Sequence, residues 1–366
     1  MIKAIPKSEQ TALDLASLYG SYGFRRYKVG CFENYAEYLE SKNFMPSEQV
    51  ITFGGKDGKL LALKPDITMS IVKNVNVESG DTEKLFYKEN VFRTLTGSGD
   101  FKEIAQMGVE IIGDIDDLAL TEFATLALKS LSLLSGDYLL DLCHIGFVEG
   151  LLDYCKVNEG VRPQILTLLS ERNKHGLTSL FNKDIITLQA LTSLTELIDL
   201  SGSKDALLKA KALIKNQAMQ NAYNELSVIV DNLSADENMR IDFTVNADFN
   251  YYSGLVCKGY VAGIPRPVLS GGRYDKMASR LKKGDCGAIG FAVYLGELYG
   301  DKEVLKPCYL IYDENAPVKD VIQAAETLRK QGLPVKTAKK APDNGFNKLF
   351  MLKDGTIKEI DGDTIC

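Results

Sequence analysis

Two segments that combine tyrosines with glycines indicate a ligand pocket in this sequence. Tyr251 and Tyr252 are followed directly by Ser253 and Gly254, and the segment Ser270–Asp275 combines two glycines with an arginine and a tyrosine. Glycine has no side chain, so the chain can turn there or a ligand can approach the backbone closely. The two segments predict a pocket with tyrosine walls, and we expect the second segment to be a corner that leads into a helix.

Polar residues also recur on a predicted strand, Ile104–Ile111. Gln106, Gly108 and Glu110 fall on one face of this strand and apolar residues on the other, because successive side chains of a strand point to opposite sides. Two interpretations are open. The polar face is either exposed to solvent, or it is the floor of a pocket whose amide and carboxyl groups contact a polar ligand.

Further strands are predicted around these segments. Ile241, Phe243 and Val245 alternate with polar residues, which is typical of a half-buried strand. Val50–Gly54 and Lys59–Lys64 predict a hairpin around the sequence GGKDG. Because no helix follows these glycines and no Lys-Ser or Lys-Thr ending appears, we interpret GGKDG as a plain turn and not as a phosphate-binding loop.

The middle of the chain is predicted to be helical. Apolar residues recur every three or four positions in Leu118–Leu134 and through most of residues 146 to 235. After Leu298 the pattern changes to strand, helix and two further strands. These elements are predicted at Pro307–Tyr312, Pro317–Gly332, Leu333–Thr337 and Asn347–Leu352.

Composition and charge exclude several classes of function. The chain has 366 residues and a formal net charge of −6. A mildly acidic chain is a poor general binder of polyanions, because phosphate contacts need a basic surface. We therefore do not expect nucleic acid as a partner. No apolar run approaches the roughly 18 residues of a transmembrane helix, so we expect no membrane span.

Cysteine and histidine usage indicates the cellular compartment and argues against a metal site or a catalytic triad. The seven cysteines are scattered without a CxxC pair, which is typical of reduced thiols and favours a cytoplasmic location. The two histidines, His144 and His175, are far apart in the sequence, so we expect neither a metal site nor a catalytic triad. His144 follows a strand-like run and is expected to be a structural residue.

Three separated motifs resemble those of the class II histidyl-tRNA synthetases. NYYSG at 250–254, GGRYD at 271–275 and GAIGFAVYLGEL at 287–298 are similar, in this order, to the histidine motif, the GGRYD corner and the third motif of that family. The resemblance implies an α+β fold with an antiparallel sheet flanked by helices. It also implies a core at residues 1–300 with a helical insertion at about 146–235, and a small α/β segment at 304–366 similar to a truncated anticodon-binding domain.

The resemblance also implies a histidine-binding site. Its residues in this chain are Asp66, Thr68, Arg93, Gln106, Glu110, Tyr252 and Tyr274. In the family, the acidic residue, the hydroxyl and the glutamine hold the ammonium group, and the arginine meets the carboxylate by charge-assisted bonds. The glutamate of the strand meets the imidazole. Asp66 or Thr68 could instead cap the helix expected to begin near Thr68, and both roles are compatible.

This chain departs from the synthetase pattern at the positions where the family activates its amino acid. Ala247 replaces an arginine of the histidine motif, Leu95 replaces a glutamate that contacts adenine, and Glu297 stands where the third motif has its arginine. A carboxylate beside a triphosphate is repulsive where the reaction needs cations. The chain is therefore similar to synthetase relatives that keep the pocket and lack catalysis.

Such relatives are the regulatory subunits of ATP phosphoribosyltransferase, which acts in the first step of histidine biosynthesis. This resemblance implies no catalytic residue and no cofactor. It implies a class II-type homodimer that assembles with the short-form catalytic subunit into a hetero-octamer, and histidine as the effector that inhibits the complex. The alternative is an active histidyl-tRNA synthetase or another ATP-dependent enzyme that uses the same fold.

Overall fold

The chain divides into two compact units. The larger unit runs from Asp14 to Leu298, and the smaller contains the residues from Tyr299 onward together with those up to Leu13. The computed structural model describes residues 6–39, 50–78, 80–94, 99–202, 204–233, 237–245, 249, 251–282, 286–299, 306–342 and 344–360. The candidate site lies in the larger unit.

The helices and strands of the described residues are as follows. The helices are α1 (Lys7–Ser21), α2 (Tyr35–Leu39), α3 (Ile67–Asn74), α4 (Asp117–Leu134), α5 (Ile145–Tyr154), α6 (Arg162–Ser170), α7 (Lys174–Asn182), α8 (Leu188–Asp199), α9 (Lys204–Ala212), α10 (Gln217–Leu233), α11 (Asp275–Lys282), α12 (Leu295–Tyr299) and α13 (Val318–Lys330). The strands are β1 (Arg25–Arg26), β2 (Phe32–Asn34), β3 (Thr52–Gly54), β4 (Leu60–Leu63), β5 (Thr82–Thr94), β6 (Phe101–Gly113), β7 (Tyr138–His144), β8 (Ser201–Gly202), β9 (Met239–Asp242), β10 (Leu255–Val261), β11 (Leu269–Arg273), β12 (Gly287–Tyr294), β13 (Cys308–Tyr312), β14 (Val335–Ala338), β15 (Leu349–Lys353) and β16 (Thr356–Ile360). Within the described residues, no helix combines the length and the apolar character that crossing a membrane requires.

A nine-stranded sheet forms the centre of the larger unit, as far as it is described. The strand order is β1-β5-β6-β12-β11-β10-β7-β9-β8, and neighbours are antiparallel except in the pairs β1–β5 and β7–β9. The longest ladder joins β5 and β6, from Thr82 opposite Gly113 to Thr94 opposite Phe101. The expectation of an α+β fold with a mainly antiparallel core sheet and flanking helices is confirmed.

Different helices cover the two faces of this sheet. On one face, the ring of Phe291 in β12 lies 5.7 Å from Phe123 of α4 and 6.1 Å from Tyr19 of α1, centroid to centroid. On the other face, α3 and α11 pack against β5 and β6 in a cluster that includes Ile71 and Met277. The candidate pocket lies on this second face.

Strand β9 differs from its sequence-based prediction. It ends at Asp242, and both Asp242 and Thr244, which the alternation places on a solvent face, are buried. Arg172, between α6 and α7, donates a hydrogen bond to the carboxylate of Asp242, and the backbone N–H of Thr244 donates to Oδ1 of the same residue at 2.9 Å. The helices between β7 and β9 therefore cover this edge of the sheet, and its buried polar groups are paired.

The glycines of GGRYD lie in a strand and not in the corner that the sequence predicts. Gly271 and Gly272 belong to β11, and the chain turns only before Asp275, where α11 begins. A Cβ atom on Gly271 would lie 2.3 Å from the carbonyl oxygen of Gly290, and one on Gly272 would lie 2.5 Å from that of Leu255. These glycines are required because neighbouring backbone lies too close for any side chain.

A small three-stranded sheet, β2-β4-β3, precedes α3. Its hairpin pairs Thr52 with Ala62 and Gly54 with Leu60. Between the two strands, Lys56–Gly58 forms a single 3-10 turn. The predicted hairpin and the interpretation of GGKDG as a plain turn are confirmed.

The smaller unit contains a four-stranded sheet, β14-β13-β15-β16, in its described residues. Strand β13 is parallel to both β14 and β15, and α13 buries Val321, Ala324, Ala325 and Leu328 against this sheet. The predicted strand–helix–strand order is confirmed. The final hairpin strand β16 was not predicted, because its residues Thr356–Ile360 are mostly polar and exposed.

Candidate ligand-binding site

The seven residues that the family resemblance identifies all line one pocket of about 320 Å³. Five separate segments of the chain contribute them. Asp66 precedes α3, Thr68 lies in its first turn, Arg93 is in β5, Gln106 and Glu110 are in β6, Tyr252 precedes β10, and Tyr274 lies between β11 and α11.

A larger cavity of about 640 Å³ lies near the other end of β6, beside Gly113 and Arg273. Its rim carries the exposed acidic residues Glu78, Asp81 and Asp114. It offers no tyrosine wall and no buried carboxyl among its lining residues. The smaller pocket, which combines cationic, acidic, amide and phenolic groups, is therefore the candidate site.

The segment that carries Asp66 is anchored to β5. Lys64 is buried, and its Nζ donates a hydrogen bond of 2.8 Å to Glu89 of β5. The backbone N–H of Phe92 donates to the carbonyl of Lys64 at 3.0 Å. These bonds hold the start of α3 against the strand that carries Arg93.

Asp66 has two roles at once. Its Oδ1 accepts a hydrogen bond of 2.8 Å from the backbone N–H of Met69, so it is the N-cap of α3. Its Oδ2 lies 3.6 Å from Nη2 of Arg93, whose Nε donates to the carbonyl of Pro65 at 2.9 Å. The capping interpretation is confirmed, and the same carboxylate faces the pocket with a cation beside it.

Glu110 is the most deeply buried acid of the pocket, with 1% of its surface exposed. The Thr68 hydroxyl donates to its Oε1 at 2.6 Å, and the Tyr274 hydroxyl donates to its Oε2. Burial raises the pKa of Glu110 to about 8, although these two hydrogen bonds act in the opposite direction. At neutral pH the carboxyl is therefore mostly protonated, and it can both donate and accept a hydrogen bond.

Gly290 makes room for this carboxyl. It lies directly opposite Glu110 in the ladder between β6 and β12. A Cβ atom on Gly290 would lie only 1.8 Å from Oε2 of Glu110. No other residue type fits here without displacing the carboxyl.

Gln106 lies on the same face of β6 as Glu110 and is 7% exposed. It lies opposite Tyr294 of β12. The polar face of β6 is thus a pocket floor, and the interpretation that it faces solvent is wrong. This face of β6 is buried because α3, α11 and the tyrosines cover this part of the sheet.

Tyrosine rings form the walls that the sequence predicts. The rings of Tyr251 and Tyr252 lie 4.9 Å apart at 64°, and Tyr251 lies 6.0 Å from Tyr274. Burial raises the pKa of all three hydroxyls well above the ordinary value. They therefore remain neutral and act as hydrogen-bonding groups.

Sequence reasoning did not include four further polar lining residues in the predicted site. Tyr87, Tyr251, Ser270 and Tyr294 also line the pocket. Strand period could have identified Tyr87, because it lies six positions before Arg93 on the same strand and so shares its face. Ser270 and Tyr294 become recognisable only once the strand pairing is known.

Of the three residues that depart from the synthetase pattern, the structure describes only Glu297. Leu95 and Ala247 lie outside the described residues. Glu297 of α12 accepts a hydrogen bond of 3.3 Å from Lys102, and its other oxygen lies 3.8 Å from Nη1 of Arg266. Because Lys102 is opposite Arg93 in the β5–β6 ladder, this ion group stands next to the pocket.

His144 is structural, as expected. It is buried and caps α5 by accepting a hydrogen bond of 3.1 Å from the backbone N–H of Gly146. Its other ring nitrogen lies 3.0 Å from Oε2 of Glu225. Both nitrogens are used, and the residue lies outside the pocket lining.

Comparisons with known proteins identify the family of this chain. The family model for histidyl-tRNA synthetase matches residues 3–298. The protein of Halothermothrix orenii named ATP phosphoribosyltransferase regulatory subunit is 30% identical over 331 residues, which are 86% of this chain and 78% of that protein. The chain belongs to the histidyl-tRNA synthetase family, among the ATP phosphoribosyltransferase regulatory subunits.

Solved structures of this family are similar over most of the chain. One is the crystal structure of an ATP phosphoribosyltransferase regulatory subunit/histidyl-tRNA synthetase from Bacillus halodurans C, with a TM-score of 0.72 and 26% identity over 92% of this chain and 90% of that chain. A chain of the ATP phosphoribosyl transferase (HisG:HisZ) complex from Thermotoga maritima has a TM-score of 0.61 and 17% identity over 79% of this chain and 97% of that chain. At that identity, the second likeness shows the fold alone.

The part shared with the histidyl-tRNA synthetase family contains the whole candidate pocket. All seven pocket residues lie between residues 3 and 298, the range that the family model matches. The motif resemblance is therefore confirmed as family membership.

Proposed function

We infer that this chain is a non-catalytic regulatory subunit of an ATP phosphoribosyltransferase, in the first step of histidine biosynthesis. It is required for the activity of the short-form catalytic subunit and for feedback inhibition by histidine. The 30% identical relative carries this name over most of both chains. In the Thermotoga maritima structure, a chain of the same fold is part of an ATP phosphoribosyl transferase complex.

Histidine is the proposed ligand of the pocket. The observation that supports it most strongly is the convergence of all seven expected residues on one cavity of about 320 Å³. Asp66, Thr68 and Gln106 suit an ammonium group, and Arg93 suits a carboxylate. The Glu110 carboxyl, which Thr68 and Tyr274 orient, can accept from one imidazole nitrogen or donate to the other.

The absence of catalysis follows from charge at the edge of this pocket. Glu297 places a carboxylate between Lys102 and Arg266. A triphosphate would have to compete with this carboxylate for both cations, and it would be repelled by the carboxylate itself. The substitutions at Leu95 and Ala247 remove further groups that the synthetase pattern uses.

The assembly proposed for this chain is a class II-type homodimer that joins the short-form catalytic subunit in a hetero-octamer. Histidine bound here would inhibit the partner through a coupling between sites, and the coupling must be reciprocal. We place the complex in the cytoplasm, where thiols remain reduced. None of the described cysteines forms a disulfide.

Calorimetric titration of the isolated chain with histidine, and separately with ATP, tests this proposal. We expect histidine to bind and ATP not to bind. Mixing with the short-form catalytic subunit should produce phosphoribosyl transfer to ATP, and added histidine should inhibit it. Failure of the mixture to form active enzyme would reject the regulatory function.

The second candidate function is histidyl-tRNA synthetase, because the family model carries that description. A histidine-dependent pyrophosphate-exchange assay distinguishes the two. Exchange above the background of a catalytically dead synthetase would assign the chain to the active enzymes in spite of Glu297.

A further inference from the structure

Tyr87 lies at the floor of the pocket. It is directly opposite Gly108 in the ladder between β5 and β6, and it lines the pocket. Gln106 and Glu110 flank Gly108 on the same face of β6, because residues two apart on a strand share a face. Tyr87 is therefore a direct neighbour of the two polar side chains of β6.

The ring of Tyr87 leans over β6. A Cβ atom on Gly108 would lie 2.6 Å from the hydroxyl oxygen of Tyr87 and 2.8 Å from its Cζ. Only a glycine at this position leaves room for the hydroxyl. The hydroxyl thus lies over Gly108, between Gln106 and Glu110.

The hydroxyl of Tyr87 has no hydrogen-bond partner among the described residues, although the side chain is only 1% exposed. Each of the other four tyrosines of the pocket has a polar partner for its hydroxyl. These pairs are Tyr251 with Thr68, Tyr252 and Tyr294 with Ser270, and Tyr274 with Glu110. Because a buried hydroxyl without a partner is costly, the Tyr87 hydroxyl is the one available to a ligand.

The charges around Tyr87 indicate which part of the pocket it serves. Burial raises the pKa of Tyr87 well above its ordinary value, and the charge of Glu110 raises it further, ahead of that of Asp66. The hydroxyl therefore remains neutral and can both donate and accept a hydrogen bond. Since Glu110 acts on it more strongly than Asp66, the hydroxyl lies nearer to the carboxyl proposed for the imidazole than to the one proposed for the ammonium group.

Glu110 and Tyr87 present their polar atoms at diagonal positions of the floor. Oε2 of Glu110 lies over Gly290, where a Cβ atom would be 1.8 Å away, and the Tyr87 hydroxyl lies over Gly108. Gly108 is opposite Ala292, and Gly290 is opposite Glu110, so the two glycines are diagonal neighbours, about 7 Å apart. One imidazole ring with a hydrogen bond of about 2.9 Å at each nitrogen fills such a span.

We propose that the Tyr87 hydroxyl binds one nitrogen of the ligand's imidazole ring while Glu110 binds the other, and that Tyr87 is a specificity-determining residue of the pocket. It selects a ring with two polar nitrogens against an apolar ring of similar size. This inference rests on the proposed function of the pocket as a histidine site. It deepens that proposal, because it names the partner of the second ring nitrogen.

Calorimetric titration of the full chain with histidine and with β-thienylalanine, whose thiophene ring contains no nitrogen, tests this inference. Tyr87→Phe removes only the hydroxyl. It should weaken histidine binding by about 5- to 150-fold, because a ring nitrogen loses its buried partner. The affinity for thienylalanine should not fall, because that ring makes no hydrogen bond to the hydroxyl.

Nitrogen NMR of bound, isotope-labelled histidine identifies the contact directly, and it does not depend on how tightly the thiophene analogue binds. Tyr87→Phe should shift the resonance of a ring nitrogen and leave that of the amino nitrogen unchanged. A shift of the amino nitrogen without any shift in the ring would overturn the assignment of Tyr87 to the imidazole.

The matched control is Tyr19→Phe. Tyr19 is also buried, but its hydroxyl lies on the opposite face of the sheet and is bonded to Ser130, so this variant should bind histidine like wild type. Urea denaturation without ligand should give Tyr87→Phe a free energy of unfolding no lower than that of wild type, because its hydroxyl has no partner to lose. A lower value would assign the hydroxyl a structural role.

Two kinds of failure are distinguishable. Equal weakening of histidine and thienylalanine by Tyr87→Phe, or weakening of neither, would overturn the role of Tyr87 and leave the histidine site intact. If wild type binds no histidine, the proposed ligand of the pocket fails, and this inference fails with it.

Discussion

The hydroxyl of Thr68 donates a hydrogen bond of 2.6 Å to Oε1 of Glu110, which joins the first turn of α3 to the middle of β6. Tyr274 donates to the other oxygen of the same carboxyl. A buried carboxyl in this arrangement is held in one orientation before a ligand arrives. Pre-organisation of this kind lowers the ordering cost of binding.

Glu110 should make the stability of the chain depend on pH. Its pKa is raised from 4.5 to about 8 in the folded chain. The protonated carboxyl therefore stabilises the folded state fully below about pH 4.5, and this contribution is lost as the pH rises to about 8. Glu110→Gln removes the titration, so the free energy of unfolding of wild type relative to this variant should fall by a few kcal/mol between about pH 5 and pH 8.

Urea denaturation of both proteins at several pH values measures this difference. Other titrating groups are common to the two proteins and cancel. A difference that stays constant over this range would show that Glu110 titrates normally.

Asp66 variants should separate its two roles. Asp66→Asn keeps a side-chain oxygen that can cap α3, whereas Asp66→Ala loses both cap and charge. We expect Asp66→Ala to lower the free energy of unfolding by about 0.5–2 kcal/mol, and Asp66→Asn to have a much smaller effect. Both variants should weaken histidine binding, because both remove the anion that faces the ammonium group.

Denaturant unfolding and calorimetric titration of the two Asp66 variants provide the measurements. If Asp66→Asn binds histidine as well as wild type, the carboxylate acts only as a helix cap.

Gly290→Ala should disable the pocket. The added methyl would occupy space 1.8 Å from Oε2 of Glu110, so the carboxyl must leave its position between Thr68 and Tyr274. We expect histidine binding to fall by about tenfold, because a polar group of the ligand would lose its buried hydrogen-bond partner.

Gly296→Ala is the matched control, because a Cβ atom there meets nothing within 4 Å. It should bind histidine like wild type. Equal binding by Gly290→Ala and Gly296→Ala would mean that the position of Glu110 does not govern affinity.

Glu297→Gln should strengthen the binding of small polyanions. It leaves Lys102 and Arg266 without the carboxylate that now joins them. We expect a gain of a few-fold in affinity for inorganic pyrophosphate at low salt, since exposed ion pairs contribute up to about 1 kcal/mol.

Equilibrium dialysis with labelled pyrophosphate measures this gain, and Glu326→Gln is the control. Glu326 forms an exposed pair with Arg329 on α13, so its variant has the same change in net charge. A similar gain in both variants would assign the effect to net charge and not to the pocket edge.

Much of the fold could be predicted from local pattern. Helix α4 ends at Leu134 as predicted and begins one residue earlier than predicted, at Asp117. The hairpin around GGKDG and the helix α13 were also predicted correctly. These elements depend on periodicity and turn residues within a few positions of each other, which a single sequence contains.

The sequence by itself also determined the family and the residue types of the pocket, because ordered motifs carry that information. Only the tertiary structure decided that the Gln106 and Glu110 face is buried, that Gly271 and Gly272 lie in a strand, and that the Tyr87 hydroxyl lies over Gly108. Each of these depends on strand pairing or helix packing between segments far apart in the chain. Alternation along a strand tells which residues share a face, but what covers that face depends on tertiary packing.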